Sequence, residues 1–528
     1  MKNKYLHFLM LSTIVVSLLF TNACKNPTEG LVITVNSDFS ENNYGFRVIN
    51  ANSAFEEIPQ NLTIKIVGPG ADYIYSSDGT KNFSSESGIF SLILKPGITP
   101  SATNAIKFTV MIESNGYLKS ITPIELTDVG NKSFDIYMVK KSAPPIGVAF
   151  KDETISLPSN GEIAENTTIE IPLNNGKQET AKIEIPKGTK MLDENGNAIT
   201  GSVNISLAHF DNRSQESLNA FPGGFTATNL VDEQGKEMEP VIFETAGFIS
   251  IDITNGSQTV KSFSNTIAIS MGINENTVNP ETELAVKEGD SIPTWSLDTK
   301  TGQWKKEAVA VVVKNTTTNK LETVFNINHL SYWNLDYYYN TCQYGSTVKI
   351  NSNTNSDAYR YVEVVNSKTN ALISTRVFNV KNGTNFSFYR APLGVEVIIK
   401  IYSGRNYYDK GNLITQSGTF KLCGSSANIN VTLPPPTIVN IDVSGVCQVG
   451  GRILRPTLYV YFKEKGKIYS DYLGYMSNGK ITTDRFTLGK TYVFSTYYSG
   501  KLYEYERTIT QNNYTEVMSL PSGTPGCK

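Results

Sequence analysis

The sequence predicts an all-β protein, a tandem of immunoglobulin- or transthyretin-like β-sandwiches on a string. Three observations lead there. Apolar residues alternate with polar ones, as at Ile106, Phe108, Val110 and Ile112, and at Leu458, Val460 and Phe462 opposite Tyr459 and Tyr461. That is the period-two pattern of a half-buried strand. Turn dipeptides such as Asp78-Gly79, Asn115-Gly116, Asn195-Gly196 and Asn478-Gly479 punctuate these runs, and such pairs supply the positive φ of tight hairpins. Helical periodicity with caps is sustained nowhere beyond the amino-terminal segment.

Size and charge narrow the rest. A chain of 528 residues holds three or four domains at roughly 150 residues each. Lys plus Arg is 47 against 49 for Asp plus Glu, a net charge of −2, which excludes a basic footprint and with it nucleic acid as a partner. The histidines are His7, His209 and His329 alone. Neither a metal centre nor a cofactor is expected from so little imidazole.

The amino terminus reads as an address. Lys2 and Lys4 precede an apolar run, Phe8 to Phe20, which ends at Ala23-Cys24. The run is too short to span a bilayer of ~30 Å but suits the core of a signal peptide. It resembles a bacterial lipoprotein signal, which implies cleavage after residue 23 and a diacylglyceryl group on the Cys24 thiol. The membrane partner is then an N-terminal lipid anchor, followed by a tether over 24–30 and a cell-envelope location. Lys25 rather than Asp follows, so the outer membrane is expected. The alternative is ordinary cleavage after Ala23, leaving a soluble secreted chain.

Four cysteines remain, and their spacing exposes a repeat. Cys423 follows Cys342 by 81 residues and Cys527 follows Cys447 by 80, with Cys342-Gln343-Tyr344-Gly345 echoed by Cys447-Gln448-Val449-Gly450. An even number in an oxidising compartment reads as disulfides. Of three pairings, Cys342–Cys423 and Cys447–Cys527 are favoured, each clasping one repeat; free thiols and crossed bridges are the alternatives. Pro144-Pro145 and Pro434-Pro435-Pro436 mark hinges. The expected domains are therefore 31–140, 147–340, 341–433 and 437–528.

Two segments resemble known families. Ser87-Gly88-Ile89-Phe90-Ser91-Leu92-Ile93-Leu94-Lys95-Pro96-Gly97, followed by Asn115-Gly116-Tyr117, resembles carboxypeptidase regulatory-like sandwiches, which implies a spacer or binding module. In the middle segment, Ile183-Glu184-Ile185-Pro186-Lys187-Gly188-Thr189 resembles an early strand of the ZU family. Pro293-Thr294-Trp295, Thr301-Gly302-Gln303-Trp304 and Asn328-His329-Leu330-Ser331 resemble the proteolysis motif of adhesion receptors and self-cleaving ZU-type domains. The resemblance implies a break between Leu330 and Ser331. Ser331 would be the nucleophile in an N-to-O acyl shift, and His329, on the same strand face, would take its proton. Phe325 and Ile327 stand where the receptors have cysteines. Against this stands plain packing, with His329 making one hydrogen bond, Ser331 capping a turn, and Trp295, Trp304 and Trp333 filling a core.

Other patterns carry less. Asp193-Glu194-Asn195-Gly196-Asn197 and Asp232-Glu233-Gln234-Gly235 read as hairpin turns before calcium loops, since neither continues to a closing glutamate. His209-Phe210-Asp211 sets a base beside a carboxylate without a nucleophile motif. Ala220-Phe221-Pro222-Gly223-Gly224 reads as a turn with close backbone approach. The tyrosines at 337–339 and from Tyr459 to Tyr505 are either strand packing or a face for a glycan or protein ligand. The expected function is that of a lipid-anchored binding or structural surface protein, not an enzyme with external turnover. Single-turnover self-cleavage is the alternative, and a surface glycan or peptide hydrolase the third reading.

Overall fold

The computed structural model describes residues 32–36, 42–55, 57–130, 132–256, 258–405, 410–434, 437–498, 501–522 and 527. The signal segment, Cys24, the 24–30 tether, and Pro435 and Pro436 of the second hinge lie outside the described residues. The protein is all-β. Its one described α-helix, Gln215–Asn219, is a single turn capped by Ser214, whose side chain accepts from the Ser217 N–H. The chain divides into two compact units, one built on residues 40–436 with Leu502, and the other on residues 437–498 and 503–528 with the strand Val32–Asn36.

The first unit begins with a two-sheet sandwich. Ile74–Ser76, Ile89–Leu94, Asn43–Asn50 and Lys132–Met138 form one sheet in that order, and Thr63–Val67, Ile106–Glu113 and Ser120–Leu126 the other. Ile106, Phe108, Val110 and Ile112 all turn into the core between them, with Tyr44, Phe46, Phe90 and Ile124. Gly88 opens the Ile89–Leu94 strand at φ +73°, where a Cβ would meet the Val48 carbonyl oxygen at 2.9 Å. Only glycine fits.

The middle of the unit is one long sheet. Its path runs through Thr167–Ile171, Ala181–Ile185, Ser262–Gly272, Leu321–His329, Trp304–Lys314, Ser291–Leu297, Tyr332–Ser352, Val241–Asn255, Gly201–Phe210 and Val148–Leu157. One face encloses an isoleucine-rich core that includes Ile183, Ile185, Ile205, Ile269, Ile327 and Trp333. Glu184, between Ile183 and Ile185, is exposed, as period-two alternation requires. The other face carries Trp295, Trp304, Phe243 and Phe248, packed with Met111, Ile121 and Val139 of the first sandwich. The tryptophans thus serve two cores on opposite faces of one sheet.

Position 340 lies inside an unbroken strand. Tyr332–Asn340 pairs with Val241–Ser250, and the same strand continues to pair Thr341–Lys349 with Asn385–Pro392 and Val348–Ser352 with Ala427–Val431. It thereby enters a further core around Val348, Ile350, Val364, Val397 and Ile429. Cys342 is bonded to Cys423 beside that core.

The second unit is a sheet of Lys480–Thr483, Val439–Cys447, Ile453–Glu464, Thr491–Tyr498 and Lys501–Thr508, with Asn513–Leu520 beside Val439–Cys447. Val460 and Phe462 lie in its core with Ile441, Met476 and Phe486, while Leu458 packs against them. On the opposite side of the strand, Tyr459 and Tyr461 pair rings with Tyr472. Cys447 is bonded to Cys527, both buried with Leu454. The strand Val32–Asn36 lies parallel to Ile453–Thr457.

Candidate self-cleavage site

His329 ends one strand and Tyr332 begins the next, so Leu330 and Ser331 form the link between them. Three neighbouring strands fix this corner. His329 stands opposite Ser262, the Leu330 N–H donates to the Lys261 carbonyl at 2.8 Å, and Trp333 stands opposite Ser296. The His329 ring lies 5.0 Å from that of Trp333, which limits its tilt.

The two ring nitrogens of His329 have different partners. Nδ1 lies 3.1 Å from Ser331 Oγ, and Nε2 lies 3.2 Å from Glu307 Oε1. Glu307 also accepts from Ser296 Oγ at 2.7 Å and from Lys305 Nζ at 2.9 Å. Burial raises the Glu307 pKa, but the hydrogen bonds from His329, Lys305 and Ser296 outweigh it and hold the carboxyl at about 2. An ionised carboxylate can only accept, so Nε2 carries the proton facing it. In the neutral ring Nδ1 is then the acceptor, and the Ser331 hydroxyl donates to it. Serine, histidine and glutamate form one polarised chain, the arrangement that makes a hydroxyl nucleophilic. The nearest electrophile along the chain is the Leu330 carbonyl. Neither Leu330 nor Ser331 takes a positive φ, so the backbone there shows no left-handed strain.

Glu307 was not legible in the sequence. It is 22 residues from His329 and reaches it through a register shift between Pro293 and Trp295 in the pairing with Trp304–Lys314. No sequence motif marks such a bulge.

The other candidates separate. His209 is fully buried with neither ring nitrogen hydrogen-bonded, and burial, with the nearby Arg213 charge, lowers its pKa to about 3. Asp211 is engaged elsewhere, by Arg213 Nε at 2.7 Å and the Glu179 N–H at 3.2 Å, so the two do not form a dyad. Asp193 accepts from the N–H groups of Asn195 and Asn197, and Asp232 from those of Gln234 and Lys236. Both are turns closed by their own amides, and among the described residues no His, Cys, Asp or Glu cluster could hold a metal ion. Tyr337 lies in the isoleucine core, Tyr338 packs against the Trp295 cluster, and the Tyr339 hydroxyl donates to Glu244 at 2.7 Å. That run is packing. Among the described residues no helix is long and apolar enough to cross a membrane.

No protein-family model matches the chain, and no curated protein does. Several solved structures are similar over long stretches at low identity. A leucine-rich repeat protein from Bacteroides thetaiotaomicron is 13% identical over 34% of this chain and only 26% of its own, with a TM-score of 0.14. The Bacillus anthracis TIE protein is 9% identical over 71% of this chain and 74% of its own, with a TM-score of 0.13. The full-length major pilin RrgB from Streptococcus pneumoniae is 9% identical over 91% of this chain and 100% of its own, also at 0.13. At such scores these likenesses carry no argument about function, and the fold rests on the sheets described above.

Proposed function

We propose that this chain is an exported, envelope-anchored structural or binding protein, held to the outer membrane through an acylated Cys24. The observation that carries the reading is the pair of disulfides, Cys342–Cys423 and Cys447–Cys527. Such bonds persist outside the reducing cytosol, and here each clasps one sandwich. The unbroken strand through position 340 supports the structural part, because it leaves no flexible joint between consecutive cores. Metabolic labelling with an alkynyl fatty acid tests the anchor. The wild-type chain incorporates label and sediments with membranes, whereas Cys24→Ser does neither; an unlabelled wild-type chain overturns the reading.

A second reading, single-turnover self-cleavage at Leu330–Ser331, is favoured by the Ser331–His329–Glu307 chain. Ser331 Oγ attacks the Leu330 carbonyl carbon while His329 Nδ1 takes the hydroxyl proton. The amide nitrogen of Ser331 leaves with a proton as a free amine, giving an ester. Water then hydrolyses that ester to a Leu330 carboxylate and a restored Ser331 hydroxyl. Fragment association would survive, because Tyr332–Ser352 stays paired with Val241–Asn255 and Ser291–Leu297.

A further inference from the structure

The strands Ser120–Leu126 and Lys132–Met138 are the adjoining edges of the two sheets of the first sandwich. The loop after the short helix closes over their open end. Its Gly223 N–H donates to the Ile121 carbonyl at 2.8 Å. A Cβ on Gly223 would sit 2.4 Å from Trp304 Cζ2 at φ +82°, so the glycine lets the loop wedge between edge strand and tryptophan. Beneath it lies a pocket of about 250 Å³ lined by Ser120, Thr122, Asp135, Asn219 and Phe225, among others. This gives the Ala220–Gly224 motif a place in the fold: Ala220, Phe221 and Gly224 line the pocket.

We propose that this pocket binds a neutral saccharide. Its polar groups are mixed donors and acceptors with capacity to spare. Ser120 Oγ and Thr122 Oγ1 lie 3.3 Å apart. The Asp135 carboxylate is gripped by Arg47, Nε to Oδ1 at 2.9 Å and Nη2 to Oδ2 at 2.8 Å, and each oxygen keeps a lone pair for a further donor. Asn219 also lines the pocket, its Oδ1 accepting from Gln215 Nε2 at 2.9 Å. Phe225, stacked on Phe221 at 5.2 Å between centroids, gives the lining an apolar aromatic side.

Charge argues for neutrality. Among the described residues Asp135 is the one charged member of the lining and Arg47 already balances it, so an ionic ligand would meet no uncompensated counter-charge there. The volume is just under the roughly 300–1,000 Å³ of small-molecule sites, and a joint between domains is a common place for one. That is room for one or two sugar rings and not for a protein segment with its own fold. The site needs neither the lipid anchor nor the self-cleavage chemistry.

The test applies the mature full chain to an array of neutral hexose, N-acetylhexosamine, fucose and xylose oligomers, followed by calorimetric titration of any that bind. Ser120→Ala and Thr122→Val each weaken the interaction tenfold or more, with little change in thermal unfolding, while Lys187→Ala, exposed and outside the lining, binds as the wild type does. Two independent variants keep the result readable if one fails to fold. Retention of no neutral glycan, retention of charged glycans only, or affinity unchanged in both variants would overturn the proposal.

Discussion

Arg390 grips Glu125 across 265 residues of sequence, with Nε and Nη2 each 2.8 Å from a different carboxylate oxygen. The side chains are only 13% and 12% exposed. This fork fastens the first sandwich to the strand Asn385–Pro392, which pairs with the far half of Tyr332–Ser352, within one compact unit.

Breaking that pair from one side leaves a buried charge without a partner, which costs about 3–5 kcal/mol. Arg390→Met and Glu125→Leu alone should each lower the urea midpoint, followed by tryptophan fluorescence because Trp295, Trp304 and Trp333 all report on this unit. The double replacement should recover most of the loss. A double mutant as unstable as the worse single one would deny the pair its role as a matched clamp.

The Ser331 chemistry makes a sharper claim. Both disulfides lie beyond residue 331, so a cleaved chain separates into two bands on a denaturing gel even without reductant. Ser331→Ala and His329→Ala should each leave one band. Glu307→Gln should slow cleavage about tenfold or more, since orienting a general base is part of an effect worth 10²–10⁴. With its carboxyl held at about 2, Glu307 should contribute no ionisation to the rate profile above pH 4. Wild-type protein that stays in one band after prolonged incubation would leave the chain of hydrogen bonds a purely structural feature.

His209 gives a pH dependence of known sign. Its pKa is lowered from 6.5 to about 3 in the fold, so the unfolded chain takes up the proton first as pH falls. The stability tied to a neutral His209 is complete above pH 6.5 and is lost as pH falls through about 3, at no more than about 1.4 kcal/mol per pH unit. His209→Leu should flatten that slope and match or exceed wild-type stability at pH 5, measured by denaturant midpoint. An unchanged slope would place the titration elsewhere.

Asp336 works in the opposite sense. Burial raises its pKa to about 7, against hydrogen bonds from Thr245 and Asn334 that lower it. Its contribution is present below the ordinary carboxyl range near 4 and is lost as pH rises through 7. Asp336→Asn should therefore raise the melting temperature at pH 8 and change it little at pH 4. A variant destabilised at pH 8 would show that the ionised carboxylate is needed.

The strands and turns were legible because period-two alternation is local: Ile106 to Ile112 and Ile183 to Ile185 face their cores as their spacing requires. The cysteine pairing was legible for a different reason, a repeated spacing that one clasp per sandwich explains. Contacts made between strands far apart in sequence or through irregular pairing left no such trace. Glu307 meets His329 through a bulge, and the tyrosines at 337–339 divide among three cores because Tyr338 points to the opposite face from its neighbours and the strand passes from one core to the next between Tyr337 and Tyr339. The strand Val32–Asn36 pairs with Ile453–Thr457, a parallel contact between distant segments that composition cannot announce.

Intact-mass spectrometry of the chain extracted from the envelope tests the central claim most directly. The account expects species whose amino terminus is Cys24 bearing acyl groups, with the mass deficit of two disulfides. An unacylated terminus, or four free thiols, would contradict it.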